Sequence, residues 1–352
     1  LFEGKSISGV IQGLDKSYWI TSIGEGIFYI PDLNSIQFQL PNETFLHSHR
    51  YKKGNLLLSG KSGRIYEYSL GANTLNTFIP SSNRQQVIAM LYDSLADITL
   101  VADNELSVYQ GKTLVASYKA AIKDLVKVDT KTYAFAASGF IGIISLGESG
   151  FVKRWKNKLT KSQQSNQVVF YKIESKADGL RSKSIIGDRE GITLFAGTSK
   201  GILRVTPTQE QFINNKQGTV IAKNFVWCEG KLFVSSENFG LLTLKENHLD
   251  EVSEVRNVIG DQINRIKCIG GSLYLLTEKG TFLYQVATAK FYALLAGSGQ
   301  TEGDEFLDVE VDNRRLFLSA GNTFKIIPIQ TKAYQQAVSK LIINKFFCNY
   351  RE

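Results

Sequence analysis

The stretch Ile185–Val205, IIGDREGITLFAGTSKGILRV, contains short β-prone runs separated by polar and glycine-containing turns. Its run IIGD leads through a polar break to the aromatic-led strand LFAGT, the turn TSKG and a further strand, GILRV. Similar units recur, as FVWCEGKLFVSSENFGLLTL at Phe225–Leu244 and IKCIGGSLYLLTEKGTFLY at Ile266–Tyr284. Short strands joined by glycine turns in a repeated unit predict an all-β repeat architecture.

The period of the repeat can be measured from the bulky apolar residue in the central strand of each unit, here called the anchor. Successive anchors are separated by 38, 43, 35, 60, 38, 41 and 43 residues. A unit of about 40 residues with several short strands predicts a β-propeller blade. Helical repeats are excluded because alternation and glycine turns interrupt every unit at strand length. The anchors are Trp19, Leu57, Leu100, Phe135, Phe195, Phe233, Tyr274 and Phe317.

The predicted fold is therefore all-β, a single β-propeller of seven or eight four-stranded blades. Eight anchors favour eight blades. Seven would result if the weakest copy, around Leu100, belongs to another blade, or if the terminal units share one. We expect the propeller to span residues 1–335 and to carry a basic insertion near 153–183, which accounts for the 60-residue interval.

The anchors are expected to pack between neighbouring blades, and the small residues after them suit strands that converge near a crowded axis. Turn glycines permit a positive φ at the hairpin reversal. The units at Glu105 and Thr323 lack this glycine, so we expect different turns there. In Tyr18–Ile30, YWITSIGEGIFYI, the GEG could by itself be a phosphate loop, but a strand follows it instead of a helix, which favours a hairpin turn. The predicted turn glycines are Gly26, Gly63, Gly142, Gly201, Gly240 and Gly280.

Composition excludes several classes of function. The net charge is +8, but most basic residues are mixed with acids, which favours a solvated basic face over a nucleic-acid surface. No apolar run reaches the roughly 18 residues of a membrane span. Neither a GxSxG elbow nor a phosphate-binding GxxxxGK[ST] motif is present, and only three histidines occur. We therefore expect no catalytic residues and no cofactor.

Two clusters are candidate sites. Arg154 and Lys156 flank Trp155 in the insertion, a combination suited to stacking on a sugar or pairing with an acidic group. The favoured interpretation is an exposed basic loop with the tryptophan tucked onto the blade edge. His47 and His49 share one face of a probable strand and are weak candidates for metal ligands. No third ligand is evident, so no metal site is expected.

Three cysteines do not make a disulfide framework. Cys228 and Cys268 occupy similar places in successive repeats, so a bridge between them is conceivable in an oxidising compartment. Two separate buried thiols are favoured instead, because a free cysteine behaves as a small hydrophobe.

The fifth unit resembles the regulator-propeller repeat of bacterial sensor proteins. Asp188-Arg-Glu-Gly191, Leu194-Phe-Ala-Gly-Thr198 and Gly201-Ile202 match that repeat almost position by position. The first unit, with ISGVIQ, YWITS and GIFYIPD, is similar to periplasmic sensors of Bacteroidetes-type histidine kinases, but it departs from the repeat at Gly13 and Lys16. The tail Leu341–Glu352 resembles the first strand of the β-sandwich that follows such propellers, so residues 336–352 are expected to be the start of a truncated second module.

The resemblance implies a periplasmic, non-catalytic sensor domain of a two-component histidine kinase. Such a domain would be tethered to the membrane through a segment absent here, and would bind a small molecule or oligosaccharide. The full-length receptor could form a homodimer. Since the chain begins at Leu1 without a signal peptide, we expect a piece of a longer protein. A propeller lyase or glycosidase and a protein-interaction platform are the alternatives.

Overall fold

The computed structural model describes most of the chain, and strands account for most of what it describes. The predicted β-sandwich start at 336–352 lies outside these residues. The described ranges are 4–13, 17–24, 26–30, 36–81, 86–188, 190–260, 262–278, 280–296, 306–312 and 315–328.

The first repeat forms a three-stranded antiparallel sheet, called here the first sheet. Its strands are β1 (Ile7–Gln12), β2 (Tyr18–Ser22) and β3 (Gly26–Ile30). The next strand, β4 (Ile36–Gln39), does not extend this sheet but pairs with the last strand of the described chain.

Three further antiparallel sheets follow; two have four strands in chain order, and the third has five strands, of which the last two are exchanged in order. Their strands are β5 (Phe45–Arg50), β6 (Leu56–Gly60), β7 (Ile65–Ser69) and β8 (Thr74–Ile79); β9 (Ala89–Asp93), β10 (Ile98–Ala102), β11 (Leu106–Gln110) and β12 (Thr113–Tyr118); and β13 (Ile122–Asp129), β14 (Thr132–Ala137), β15 (Phe140–Leu146), β16 (Leu159–Ser165) and β17 (Val168–Ile173).

Four more sheets complete the described chain, and the last takes β4 as its fourth strand. Their strands are β18 (Ser182–Gly187), β19 (Leu194–Thr198), β20 (Gly201–Val205) and β21 (Glu210–Ile213); β22 (Ala222–Cys228), β23 (Lys231–Ser236), β24 (Gly240–Lys245) and β25 (His248–Glu251); β26 (Arg265–Ile269), β27 (Ser272–Thr277), β28 (Gly280–Gln285) and β29 (Lys290–Ala296); and β30 (Phe306–Val311), β31 (Arg315–Ala320) and β32 (Thr323–Pro328).

These seven sheets form a closed ring. Their first strands contact one another in the series β5, β9, β13, β18, β22, β26 and β30, and β30 in turn contacts β5. Within the described residues the ring thus takes up seven of the eight predicted repeats. The Leu100 unit forms its own four-stranded sheet. The first repeat keeps its own three-stranded sheet and contributes only β4 to the last ring sheet, through the pairing of β4 with β32.

The hydrophobic core follows the ring. Seven clusters of buried apolar side chains are present in the described residues, and each draws its members from two neighbouring ring sheets. The first sheet contributes no member to any of them. Burial of apolar area between successive sheets is therefore what stabilises the ring.

All eight anchors lie on the second strand of their sheets, as the repeat alignment predicts. Seven of them are buried, from Leu57 and Phe135 at 0% exposure to Tyr274 at 7%. Trp19 is the exception, because its side chain is 48% exposed. The prediction that every anchor packs between blades is therefore wrong for the first repeat.

The turn glycines follow the prediction at five of six positions, where φ is positive. The prediction of a turn glycine is wrong for Gly142. It lies within β15 opposite Phe135, and a Cβ there would stand 2.2 Å from the Phe135 ring. The reversal is made instead by Gly139, whose φ is 102°. Gly142 thus provides space for the anchor of its own sheet.

The insertion near 153–183 is mostly sheet. It begins at the end of helix α1 (Gly150–Trp155) and a 3₁₀ turn at Lys156–Lys158 and supplies β17, the fourth strand of its sheet, as well as β16, a fifth strand at the outer edge. The side chains of β16 are polar and largely exposed, and they protect an unpaired edge. The other helix, α2 (Ser253–Ile259), packs Val255 and Ile259 into the core.

Cys228 and Cys268 form a disulfide between β22 and β26, with their Cα atoms 5.5 Å apart. The favoured expectation of two separate thiols is therefore wrong. Successive propeller repeats bring equivalent positions side by side, so a sequence separation of 40 residues becomes a contact between neighbouring sheets.

Candidate functional site

A cavity of about 350 Å³ lies where the first strands of the ring begin. Each of the seven ring sheets contributes at least one residue from its first strand, so the cavity lies on the axis of the ring. We call it the axial cavity. One residue from each first strand, in chain order, is His47, Ala89, Asp124, Lys183, Asn224, Arg265 and Leu307.

Three lysines that line the axial cavity occupy the same kind of backbone feature, each in its own sheet. Lys123, Lys183 and Lys223 line the cavity, and each is the extra residue of a β-bulge at the start of β13, β18 or β22. A bulge leaves one residue out of the ladder pairing and re-aims its side chain. Three consecutive sheets therefore direct a lysine to the same opening.

These lysines differ in their partners. Lys183 forms an ion pair with Glu237, whereas Lys223 Nζ donates to the carbonyl oxygen of Ile263 at 3.3 Å. Lys123 makes neither a hydrogen bond nor an ion pair within the part of the chain that the structure describes. Two of the three ammonium groups thus have no carboxylate partner among the described residues.

Arg265 connects the cavity to a buried charge cluster. Its Nη1 lies 2.7 Å from His47 Nδ1 and 3.6 Å from Asp308 Oδ2. Because a guanidinium can only donate, Nδ1 of His47 must be the acceptor. Burial and the nearby Arg265 charge lower the pKa of His47 to about 3, so this imidazole is neutral at pH 7.

Asp308 ties the last ring sheet to the one that contains β5. Its Oδ2 accepts from the backbone N–H of Ser48 at 2.6 Å, and Lys267 Nζ lies 3.5 Å from Oδ1. Burial alone would raise the pKa of Asp308, but the charges of Arg265 and Lys267 outweigh it and hold the pKa well below its usual range. Lys267 also pairs with Glu310 at 2.5 Å. The cluster therefore holds three first strands together at the point of ring closure.

Asp124 performs the same task elsewhere in the ring. Its Oδ2 accepts from the backbone N–H of Ile185 in β18, and its Oδ1 accepts from Leu125 N–H, both at 2.9 Å. Burial raises the pKa of Asp124 to about 6, although both hydrogen bonds oppose the shift. A carboxyl group that titrates near neutrality in a cavity is a candidate for proton transfer. One of these bonds stays within β13 and the other joins β13 to β18, which indicates a structural role.

The histidines predicted as weak metal ligands lie beside cations. His47 faces Arg265, and burial together with the charge of Lys267 lowers the pKa of His49 to about 4. Within the described ranges there is no group of three or more His, Cys, Asp or Glu side chains that could hold a metal ion. Positive neighbours also disfavour a metal cation here.

The candidate cluster in the insertion is part of the scaffold. Trp155 is fully buried, stacks on Phe151 at 5.0 Å and donates from Nε1 to the carbonyl oxygen of Gly191 at 3.2 Å. Arg154 donates to the carbonyl oxygens of Glu190 and Gly191. Their predicted role in ligand stacking is therefore wrong for the indole, and the tucked tryptophan is the correct interpretation. Lys156 is exposed beside them.

A second pocket, of about 520 Å³, lies beside Glu43 at the entry to β5. Both oxygens of this buried carboxylate accept hydrogen bonds, from Ser62, Tyr66 and the backbone N–H of Thr44. A Cβ on Gly60 would stand 2.5 Å from the same carboxylate. These hydrogen bonds to protein groups indicate that Glu43 stabilises the connection between β4 and β5. The axial cavity is therefore the better candidate for a ligand site.

The axial lysines were missed because no motif marks them. Lys123 and Lys183 each lie 12 residues before the anchor of their unit, and Lys223 lies ten before its anchor. Aligning the first strands as well as the central strands would have revealed this recurrence. The bulges that direct these lysines into one cavity depend on the backbone pairing of the strands, which the sequence does not specify.

Comparison with known proteins supports the fold. No protein-family model and no curated protein matches this sequence. Among solved structures, the extracellular domain of the putative hybrid two component system BT3049 from B. thetaiotaomicron is 14% identical with a TM-score of 0.64; the match covers 92% of this chain and 45% of that one. The corresponding domain of BT4673 is 11% identical, with a TM-score of 0.63 and coverage of 84% and 40%.

Propellers of other kinds are similar to the same degree. Virginiamycin B lyase from Staphylococcus aureus is 11% identical with a TM-score of 0.60, and the match covers 84% of this chain and 99% of that one. The Cps50 (Swd1) β-propeller domain of Myceliophteria thermophila is 13% identical with a TM-score of 0.61, covering 84% and 100%. No helix among the described residues is long and apolar enough to cross a membrane. The ring of sheets and these likenesses together show that the chain adopts a β-propeller fold.

Proposed function

We propose that the chain is the extracytoplasmic ligand-sensing domain of a two-component histidine kinase, without catalytic activity of its own, and that it binds its ligand in the axial cavity. The observation that carries this proposal is the convergence of all seven ring sheets on one polar cavity. A ligand placed there contacts several sheets at once. Concave sites with a few convergent polar groups are the usual form of small-molecule sites.

Two further features support an extracytoplasmic sensor. The disulfide between Cys228 and Cys268 suits an oxidising compartment such as the periplasm. The repeat resembles that of regulator propellers, and extracellular domains of two hybrid two component systems share the fold. An oligosaccharide is a candidate ligand, and a membrane tether and a homodimer belong to the same proposal.

Thermal unfolding in the presence of oligosaccharides and small metabolites tests ligand binding. A ligand at 100 times its Kd stabilises the folded chain by about 2.7 kcal/mol, which raises the melting temperature measurably. Leu307→Trp, at the cavity wall, should abolish the shift. Leu114→Trp, at an exposed position on β12, should preserve it. A protein partner that shifts the melting temperature while every small ligand fails would favour an interaction platform, and turnover of a ligand would favour an enzyme.

Signalling requires that the ligand binds two arrangements of the receptor with different affinities. Small-angle scattering of the tethered dimer, with and without the stabilising ligand, should therefore show two different arrangements. Identical scattering profiles at saturating ligand would count against a sensing role, even where binding is tight.

A further inference from the structure

The charge of the axial cavity is predominantly positive. Among the described residues, its lining includes Lys123, Lys183, Lys223 and Arg265 against a single carboxylate, Asp124. Both oxygens of Asp124 already accept backbone N–H groups. His47 adds no charge at neutral pH, because it is the uncharged acceptor of a bond from Arg265.

Among the described residues, two of these cations have a carboxylate partner and two do not. Arg265 lies beside the buried carboxylate of Asp308, and Lys183 pairs with Glu237. Lys223 binds only a backbone carbonyl, and Lys123 has no partner in the described part of the chain. Like charges in a partly enclosed opening repel one another, and a bound anion would relieve this repulsion.

The recurrence of lysine at one structural position argues for a common purpose. The sequences Ile122-Lys123-Asp124, Ser182-Lys183-Ser184 and Ala222-Lys223-Asn224 place the lysine at the same bulge of three consecutive sheets. At the equivalent bulges of β5 and β30 the extra residues are Leu46 and Leu307. The cationic arc therefore covers one side of the opening, and Ile88, Ala89 and Leu307 are the apolar residues that line the other side.

We propose that the axial cavity binds a small organic anion through its carboxylate or phosphate group, which Lys123, Lys183 and Lys223 hold by charge-assisted hydrogen bonds. This inference rests on the proposed function and narrows its ligand class. Three ammonium donors converging from separate sheets suit the several acceptor oxygens of such a group. The side lined by Ile88, Ala89 and Leu307 is left for the uncharged part of the ligand.

Galacturonate and galactose form a matched pair of probes, because they differ in the carboxylate that replaces one hydroxymethyl group. Calorimetric titration should show binding of galacturonate, citrate or inorganic phosphate, weakening as salt is added, and much weaker binding of galactose. Citrate tests whether the cavity binds a polycarboxylate, and inorganic phosphate tests whether it binds a phosphate group. Equal affinity for galacturonate and galactose, or no binding of any of the three anions, would overturn the proposal.

Substitution locates the site. Lys123→Met with Lys223→Met keeps the length of both side chains and removes both charges, so anion affinity should fall about tenfold or more. Lys131→Met is the matched control, because Lys131 is exposed just beyond the opposite end of β13; it should leave the affinity unchanged. Undiminished anion binding in the double variant would overturn the lysine assignment. A melting-temperature measurement without ligand confirms that each variant is folded.

The two proposals can fail separately. If a neutral oligosaccharide binds, and the lysine variants do not affect it, the anion proposal is overturned and the sensor proposal stands. If anions bind through the lysines but the scattering profile of the tethered dimer does not change, the sensing role is overturned and the anion site stands.

Discussion

The first sheet and the sheet β18–β21 are formed by two copies of the same repeat, but they lie in different environments. Their anchors, Trp19 and Phe195, occupy equivalent positions on the second strand, yet Trp19 is 48% exposed and Phe195 only 4%. All five residues of β19 are buried, whereas β1 has no buried residue. Apolar residues of the first sheet, such as Ile11 at 70% and Ile27 at 67% exposure, also face outward.

The difference lies in what packs against each sheet. Neighbouring ring sheets cover both faces of β18–β21, which takes part in two of the hydrophobic clusters. The first sheet takes part in none of the seven described clusters. A repeat sequence thus specifies strands and turns, while burial of its anchor depends on neighbouring sheets that lie elsewhere in the chain.

The largest expected effect compares the two anchors directly. Phe195→Ala should lower the free energy of unfolding by about 3–5 kcal/mol, because it leaves a cavity between two ring sheets. Trp19→Ala should cost about 1 kcal/mol or less, since half of its side chain is already in water. Chemical denaturation of both variants measures the difference. Equal losses would show that the first sheet is packed as tightly as a ring sheet.

The disulfide offers a second way to separate the ring from the first sheet. Replacing both Cys228 and Cys268 by serine should lower the stability of the ring by about 2–4 kcal/mol, because the crosslink restricts the unfolded chain. The melting temperature should fall correspondingly. Reducing agent should produce a similar fall in the original chain and no further fall in the double variant. If reduction leaves the melting temperature unchanged, the bridge does not contribute to ring stability.

The smallest expected effect is the pH dependence of the ring. The folded pKa values of His47 and His49, about 3 and about 4, lie below the ordinary value of roughly 6.5. Below about pH 6.5 the unfolded chain therefore binds more protons at these histidines than the folded chain does, and the folded chain loses stability as the pH falls. Asp124 acts oppositely, because its pKa is raised to about 6 and its folded form takes up a proton first. Because two histidines oppose one aspartate, the free energy of unfolding should fall by about 1 kcal/mol for each pH unit of acidification between about pH 6 and pH 4.

Denaturation midpoints at pH 7, 6 and 5 check this sign. His47→Gln removes one of the two histidines with a lowered pKa and should flatten the dependence. A stability that rises on acidification would show that Asp124 dominates.

The candidate site was much less accessible to prediction than the fold. Trp155 with its flanking cations has the composition of a binding cluster, but the indole is buried and donates to the carbonyl oxygen of Gly191. Lys123, Lys183 and Lys223 have no distinctive neighbours in sequence, and they become a group only when three bulges converge on one axis. The equivalent repeat positions of Cys228 and Cys268 make their pairing conceivable from sequence, but only the contact between β22 and β26 establishes it.

The sequence by itself determined the strands, the second-strand position of all eight anchors and the all-β repeat, because these follow from local alternation and turn chemistry. Only the tertiary structure decided that β4 joins the final sheet, that the first sheet stays outside the series of ring contacts, and that the lysines meet at the axis. Ring closure is a property of packing between distant segments. The energy that selects it comes from apolar area shared between sheets, which no single repeat contains.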